Sequence, residues 1–383
     1  MTVLDTLPAP TPHRPAARGG KRRSGSRRGR AGHRRDFQRT VVLIPAHNEQ
    51  EQIEAAIESV LNQTYRPDLI VVIGDNCTDR TLEIARGFPV EVMETVANTD
   101  RKAGALNQAW WRFCQEARFV VTMDADTILD PACLERLRKQ AVEDPEIGGI
   151  CGRPLNKVPP AGMSAWNSVV WHLALDFAMY DQVLVRRKYA TEVLGGFGSL
   201  FRNRALHEVT AKSGNPWATD SIVEDYRLSL QLREANCKIR VAPTALAYTD
   251  TPVTLRGLWR QRLRWSGGTF EELAREGWKP WTRRNWLAYS AVWFGVLLRL
   301  AGLTAWGLIV ALDLPVRLEW YYVLPFLVSG LDRLVVSLKM RHSSWHNHVL
   351  AVSVLPLELL TLVGQAWSLR STWLVLRKKQ LHW

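Results

Sequence analysis

The chain has 383 residues, of which 46% are hydrophobic, and it carries a formal net charge of +13. This length and composition can bury a full catalytic domain and leave material for an appendage. The five cysteines are scattered and never spaced C-x-x-C, which argues against a disulfide framework and a zinc site and favours a reducing, cytosolic environment.

The positive charge is concentrated before residue 40. Residues 1–39 contain eleven Lys or Arg and two Asp, and they are rich in Gly, Ser and Pro. Such a segment cannot bury enough apolar surface to offset its ordering entropy, so a disordered tail is predicted. It lacks an apolar core of signal-peptide length, so export is not expected. Attraction to anionic lipid headgroups and a role as a solvated linker are equally favoured, and nucleic-acid binding ranks behind both.

Short apolar runs alternate with helical periodicity from residue 40 onwards. Strands are predicted over residues 40–45, 69–73, 90–93 and 119–123. Helices are predicted between them, over residues 49–62, 81–86 and 103–114. This alternation predicts an α/β fold with a mostly parallel sheet and helices on both faces, whose ligand binds beyond the carboxyl ends of the strands.

Polar residues fall at these strand ends, beginning with residues 45–49 (PAHNE) and 74–81 (GDNCTDRT). The Asp75 carboxylate can accept hydrogen bonds from a uracil or ribose edge, whereas a phosphate would be repelled there. The alternative is that Asp75 only shapes the turn. For Asp79 we favour a helix-capping role, and for His47 a scaffold role.

Asp124 and Asp126 follow the fourth predicted strand. Residues two apart in an extended segment face the same side, so the two carboxylates converge on one point beyond the sheet. A divalent cation, Mg²⁺ or Mn²⁺, held there with diphosphate oxygens would neutralise charge on a departing nucleotide. A turn or a helix cap is the alternative for an isolated Asp-x-Asp. Arg101 and Lys102 can add cationic contacts to the same diphosphate, or form an ordinary solvated helix start.

Two further motifs supply candidates for proton transfer and sugar binding. Asp225, which follows Glu224, can remove the proton of an acceptor hydroxyl, although an acidic pair at a helix start is also ordinary capping chemistry. Gln261, Arg264 and Trp265 occupy positions i, i+3 and i+4 on one helical face. That face offers an amide, a guanidinium for a pyrophosphate and an indole for stacking on a sugar. A core Trp beside surface arginines is the alternative.

In this order, the motifs resemble those of the family 2 glycosyltransferases of the processive synthase type, which include cellulose, chitin and hyaluronan synthases. The resemblance covers residues 40–270. It implies a GT-A (Rossmann-like) fold and metal-dependent transfer from a nucleotide-sugar, with Asp126 as the metal residue and Asp225 as the general base. It also implies that Glu224 and Trp265 bind the acceptor. The implied nucleotide-sugar site consists of Pro45, Glu49, Asp75, Lys102, Asp124, Gln261 and Arg264.

The reaction that this resemblance implies is a single displacement that inverts the anomeric carbon. The expected donor is a UDP-sugar and the expected product a growing β-linked polysaccharide at the membrane. The alternatives are transfer of one sugar to a lipid or protein acceptor and, behind it, a non-enzymatic membrane or nucleic-acid binder. Residues 195–202 match the glycine-containing acceptor segment of the family only loosely, because Phe197 is bulkier than the small residues common there.

Residues 283–383 are expected to form a membrane-associated helical region behind a catalytic domain at residues 40–282. Three apolar blocks, residues 286–312, 320–338 and 348–376, are long enough to span a bilayer, but each contains charge. Basic flanks place the catalytic domain at the cytosolic face of the cell membrane, and two or four passes, or a re-entrant segment, fit them better than three. The expected partners are a nucleotide-sugar donor, a saccharide or lipid-linked acceptor and the membrane, with self-association left open.

Overall fold

The computed structural model of the protein describes residues 39–157, 167–315, 319, 324–340 and 345–377. The predicted basic tail lies outside these residues, apart from Arg39. The strands of the described chain are β1 (Thr40–Ala46), β2 (Leu69–Gly74), β3 (Glu91–Glu94), β4 (Phe119–Thr122), β5 (Ile128–Leu129), β6 (Ile147–Asn156), β7 (Ser199–Arg202) and β8 (Lys238–Thr249).

The helices of the catalytic half are α1 (Ile53–Leu61), α2 (Thr81–Arg86), α3 (Arg101–Phe113), α4 (Cys133–Glu143), α5 (Ser168–Arg186), α6 (Asn203–Ser213), α7 (Glu224–Glu234) and α8 (Leu255–Glu276). The helices that follow are α9 (Arg283–Ala311), α10 (Leu324–Leu338), α11 (Trp345–Val352) and α12 (Val354–Leu376).

The strands form one mixed sheet in the order β3-β2-β1-β4-β7-β6-β8-β5. The four strands predicted from the sequence are mutually parallel, with β1 between β2 and β4. The continuous apolar runs of β1, β2 and β4 suit strands that are buried on both faces, whereas β3 is an edge strand with exposed glutamates at both ends. Strand β7 runs antiparallel to β4 and to β6, which the sequence pattern did not indicate. The predicted α/β fold is therefore confirmed. The parallel order holds for β1 to β4, but the antiparallel pairings of β7 and β5 make the whole sheet mixed, whereas a mostly parallel sheet was predicted.

Hydrophobic clusters cover both faces of the sheet. On one face Leu43 packs with Trp110 of α3, and on the other Ile44 packs with Ile57 of α1 and Leu134 of α4. All five side chains are buried, and burying a large apolar side chain contributes roughly 1.5–3 kcal/mol to the free energy of unfolding. The sheet is thus held between helical layers, which leaves the carboxyl ends of its parallel strands free for a site.

Two helix boundaries differ from the predictions in ways that bear on the site. The helix predicted from residue 49 begins at Ile53, because residues 49–52 form a turn in which the Ile53 amide donates to the Glu49 carbonyl at 2.9 Å. The helix predicted from residue 103 begins two residues earlier, at Arg101. Lys102 therefore lies in the first turn of α3.

The described C-terminal helices support one of the three blocks expected to be long enough to cross a membrane. Among the described residues, α9 alone is long and apolar enough for this by length and composition. The described part of the second block is the 15-residue α10, and the third block is divided at Ser353 into α11 and α12. Helix α12 packs against α8 of the catalytic half, where Ser371 Oγ lies 3.0 Å from Ser266 Oγ. Ser368, Ser371 and Thr372 of α12 are buried, so this side of the helix faces protein.

Candidate active site

The Asp75 carboxylate stands at the carboxyl end of β2 in a network of donors. Its Oδ1 atom accepts hydrogen bonds from Asn98 at 2.7 Å, from Thr95 at 2.9 Å and from Asn76 at 3.0 Å. Asn98 also donates to the carbonyl of Arg101 at 2.8 Å. Asp75 is consequently fixed against the first turn of α3, where it can present its remaining oxygen to a donor group of a ligand.

Lys102 is surrounded by three carboxylates from two other parts of the chain. Its Nζ lies 2.7 Å from Asp124 Oδ1, 3.2 Å from Glu224 Oε1 and 3.4 Å from Asp225 Oδ2. Burial disfavours the ammonium, but attraction to the three carboxylates outweighs it and raises the pKa of Lys102 well above its ordinary value. The end of β4 and the start of α7 are therefore joined to α3 by one shared cation.

Asp225 occupies the first turn of α7, and its environment suits a general base. Burial raises the pKa of Asp225 to about 7, with help from the charges of Glu224 and Asp124 and against the attraction of Lys102. A carboxylate with a pKa near the working pH can both accept and release a proton. Ser229, one turn later, donates to the Asp225 carbonyl at 2.7 Å and accepts the Leu194 amide at 2.9 Å, which fixes the start of α7 to the glycine-containing segment.

That segment contacts Asp124 directly. The Asp124 amide donates to the Gly196 carbonyl at 2.7 Å. A Cβ atom added at Gly196 would lie 2.0 Å from Asp124 Oδ2, so no larger residue fits against this carboxylate in its present position. Phe197 is the bulky residue that makes the family match loose here. Its side chain is partly buried and packs against both hydrophobic clusters, so it belongs to the core more than to an open acceptor site.

Asp126 carries the excess negative charge expected of a cation site. Burial, followed by repulsion from Asp124 and Asp250, raises the pKa of Asp126 to about 6, whereas Lys157 opposes the rise. Burial and repulsion from Asp126 and Asp124 also raise the pKa of Glu49. The described residues include no group of three or more His, Cys, Asp or Glu that could hold a metal by themselves. Mg²⁺ and Mn²⁺ fit this arrangement nonetheless, because such ions usually take one or two carboxylates and complete their shell with substrate phosphates and water.

Gln261, Arg264 and Trp265 lie on α8, as the spacing predicted. Burial lowers the pKa of Arg264, while the charges of Glu224, Asp124 and Asp225 oppose that change. The Arg264 guanidinium is therefore close to the same carboxylates that surround Lys102. The Trp265 indole is 41% exposed, and the guanidinium of Arg262 lies 5.3 Å from its centre. Exposure leaves one aromatic face for a sugar to stack on.

The remaining predicted residues separate into two groups. Arg80 and not Asp79 occupies the N-cap position of α2, but Asp79 accepts the Thr81 amide at 3.0 Å in the turn before the helix. His47 Nδ1 lies 2.6 Å from the Asp75 carbonyl, which agrees with a scaffold role. Pro45 lies near the end of β1, after Leu43, the last residue of β1 that pairs with β4. Its side chain is buried and is not open to a ligand. Glu49 is half-buried beyond the strand end and faces Asp126.

Sequence reasoning missed three polar contributors. Asn98 orients Asp75, and its only sequence signal is its position shortly before the Arg101-Lys102 pair. Asp250 adds negative charge beside Asp126, and Lys157 binds Asp250 at 3.2 Å. Asp250 immediately follows β8 and precedes α8, so a strand-end search extended beyond β4 could have found it.

Comparison with known proteins identifies the family. The family described as "Glycosyltransferase like family 2" matches residues 38–268. A poly-beta-1,6-N-acetyl-D-glucosamine synthase of Staphylococcus epidermidis is 28% identical over 240 residues, which cover 62% of this chain and 56% of the relative. The protein of the same name from Staphylococcus aureus strain COL is 28% identical over 239 residues, with the same coverage. The match thus spans little more than half the length of these curated relatives.

A solved structure extends the comparison to the fold. The mannosyltransferase PcManGT from Pyrobaculum calidifontis, in complex with GDP-Man and Mn²⁺, superimposes with a TM-score of 0.57 at 20% identity, over 89% of this chain and 88% of the other. The GT-A fold expected from the motifs is thereby confirmed, and so is the resemblance to processive synthases. The chain belongs to the glycosyltransferase family 2 proteins.

Proposed function

We propose that the protein is an inverting, metal-dependent hexosyltransferase that moves a sugar from a UDP-sugar to a growing β-linked polysaccharide at the membrane. The observation that carries this proposal is the convergence of Asp124, Glu224 and Asp225 on Lys102, with Arg264 close by. A buried carboxylate with a raised pKa next to cations for a diphosphate is what single-displacement sugar transfer requires. The names of the synthase relatives support the polymeric product.

In the proposed reaction Asp225 accepts the proton of the acceptor hydroxyl as the hydroxyl oxygen bonds to the anomeric carbon. The bond from that carbon to the diphosphate oxygen breaks, and its electron pair leaves with the nucleoside diphosphate. Attack from the face opposite the leaving group converts an α-linked donor into a β-linked product. Lys102 and Arg264 provide positive charge near the departing diphosphate, where preorganised charge lowers the barrier most.

Asp126, with Asp124 beside it, would hold the divalent cation. When bound there, Mg²⁺ or Mn²⁺ would neutralise charge on the diphosphate and improve it as a leaving group. The proposal rests on the burial and repulsion that Asp126 experiences from Asp124 and Asp250. The presence of Mn²⁺ in the complex of the mannosyltransferase with the similar fold agrees with it.

The roles proposed for the remaining site residues follow from their positions. Asp75 would bind the nucleoside, since it stands at the end of β2 with its orientation fixed by Asn98. Trp265 would stack on the acceptor sugar beside Gln261, because it is exposed on the face of α8 that carries Arg264. Pro45 would contribute only backbone atoms.

The proposed location is the cytosolic face of the cell membrane, with α9 as the membrane helix and residues 40–282 as the catalytic domain. Large apolar side chains along α9 are exposed, among them Leu303 at 68%. Arg283 and Arg284 open this helix, and Arg377 ends α12, whose Thr372 hydroxyl contacts the Tyr289 hydroxyl near the start of α9. Both basic ends therefore lie on the side of the catalytic half, as the cytosolic placement requires.

The first experiment is transfer of radiolabelled sugar by membranes that contain the full chain, with Mn²⁺ or Mg²⁺, followed by sizing of the product. The donor panel begins with UDP-N-acetylglucosamine, because the synthase relatives are named for a polymer of N-acetylglucosamine, and continues with other UDP- and GDP-sugars. A long product from one donor is expected. Absence of transfer from every donor would contradict the proposed function.

Addition of a single sugar to a lipid or protein acceptor is the second candidate. It is kept because the match to the synthases covers only 62% of this chain and 56% of the relative, so the polymeric product named for the relative does not follow from the match alone. A product one sugar longer than its acceptor, in the same sizing assay, would decide for this candidate.

A further inference from the structure

The residue that precedes α7, Val223, packs against α8 just beside the site. A Cβ atom added at Gly268 of α8 would lie 2.7 Å and 2.8 Å from the two Cγ atoms of Val223. Val223 directly precedes Glu224 and Asp225, which open α7. Gly268 is buried, so the Val223 side chain can lie against α8 here only because this position has no side chain.

A buried ion pair joins the same two helices further along. Arg227 of α7 places one nitrogen, Nη1, 2.9 Å from Glu272 Oε2 and 2.8 Å from Glu276 Oε1. The Glu272 side chain is only 2% exposed. Removing one member of such a pair leaves a buried charge without its partner, so the contact is strongly maintained once formed.

The partners on α8 share a face with the proposed acceptor residues. Gln261, Arg264, Trp265, Gly268 and Glu272 are spaced i, i+3, i+4, i+7 and i+11, which places them along one side of a helix with 3.6 residues per turn. The contacts of Gly268 with Val223 and of Glu272 with Arg227 therefore also fix the position of Arg264 and Trp265, which lie one to two turns earlier on the same helix.

Arg227 holds α7 from the side opposite the base. At 100° per residue, Arg227 lies about 200° around the helix from Asp225. Asp225 is meanwhile held on its own side by Lys102 at 3.4 Å, and its backbone carbonyl by Ser229. The two sets of contacts act on different faces of α7, so Arg227 can affect the orientation of Asp225 without touching the substrate.

We propose that Arg227 is a positioning residue, which together with the Gly268–Val223 contact sets the distance between the base Asp225 and the acceptor-binding face of α8. This inference rests on the proposed function, because it assigns Asp225 and Trp265 their roles. A small displacement of reacting groups lowers the rate of the chemical step while leaving donor binding elsewhere in the site intact.

The test compares Arg227→Met, Arg227→Lys and Gly268→Ala with the wild-type full chain in the sugar-transfer assay. Arg227→Met is expected to lower kcat between about 10-fold and 100-fold, with the KM for the donor changed less than about twofold. Arg227→Lys should recover most of the activity, because a single nitrogen makes both contacts and an ammonium can replace it. Arg204→Met, which removes the exposed pair of Arg204 with Glu208, is the matched control and should keep wild-type kcat.

Gly268→Ala changes the distance between Asp225 and the acceptor-binding face of α8 without removing a charge. This variant can still test the inference if Arg227→Met fails to fold. Its expected effect is a fall in kcat, again with the donor KM retained. Wild-type kcat in folded Arg227→Met or in folded Gly268→Ala would overturn the inference, and so would an equal effect on kcat and donor KM. A wild-type chain that transfers no sugar from any donor would instead overturn the proposed function, and with it this inference.

Discussion

The ammonium of Lys102 lies 3.4 Å from the carboxylate of Asp225, although 123 positions separate the two residues in the chain. The same nitrogen lies 2.7 Å from Asp124. Lys102 thus connects Asp124, which lies beside the proposed cation residue Asp126, with the residue proposed to remove the acceptor proton. Any change at Lys102 is expected to affect both donor binding and proton transfer.

Replacement of Lys102 by Met is expected to shift the pH dependence of kcat to higher pH. The ammonium stabilises the Asp225 carboxylate, and without it burial and the charges of Glu224 and Asp124 act unopposed. Turnover at pH 7 should fall by about tenfold or more. Initial rates across a pH series measure this, with Lys212→Met as the control, since Lys212 forms a largely exposed pair with Glu234. An unchanged midpoint in Lys102→Met would show that Asp225 does not depend on this cation.

The wild-type enzyme is expected to lose activity as the pH falls through about 7. The pKa of Asp225 is raised to about 7, and only the deprotonated form can accept a proton from the acceptor. Activity is therefore full above that pH and decreases below it, to about a tenth one unit lower. The kcat, measured with saturating donor in buffers of constant ionic strength, reports this dependence. A flat profile between pH 5 and 8 would contradict it.

Asp126→Ala is expected to remove the response of turnover to Mn²⁺ and Mg²⁺. The carboxylate serves the cation and the diphosphate and does not support the fold, so the chain should reach the membrane fraction in normal amounts. Transfer should fall by about 100-fold or more, as it does when a preorganised charge is lost from a transition-state site. Equal turnover of the wild type with and without a chelator would exclude the metal assignment.

Gly196→Ala is expected to impair use of the donor, because the new Cβ would lie 2.0 Å from Asp124 Oδ2 and the carboxylate would have to rotate away. The value of kcat/KM for the donor should fall by about tenfold or more. Gly302→Ala in α9 provides the control, since among the described residues nothing lies within 4 Å of a Cβ added there. Equal kcat/KM values for the two variants would mean that Asp124 tolerates displacement.

The first half of the sheet could be predicted from the sequence because its strands are continuous apolar runs. Once β1, β2 and β4 are parallel, Asp75, Asp124 and Asp126 must come to one edge of the sheet. The contacts of Lys102 could not be predicted in this way. Glu224 and Asp225 reach Lys102 only because of the way α7 packs. No local pattern in a single sequence encodes the packing of elements that are far apart in the chain.

Two other features depend on tertiary packing in the same way. Gly196 reaches Asp124 only because β7 enters the sheet antiparallel beside β4. The third apolar block is one run in the sequence, but the structure divides it at Ser353, and α12 packs along α8, with Trp367 against Trp259 at a ring-centre distance of 6.3 Å. Hydropathy measures how apolar a segment is and does not distinguish a side chain that faces lipid from one that faces protein.

The most direct test of the account is the transfer rate of Asp225→Asn. The amide has nearly the same shape as the carboxylate but cannot accept the acceptor proton, so kcat should fall by about 10²- to 10⁴-fold while UDP binding persists. Asp220→Asn, the same substitution in the exposed pair of Asp220 with Arg275, should transfer sugar at the wild-type rate. A folded Asp225→Asn variant with wild-type turnover would contradict the assignment of Asp225 as the general base.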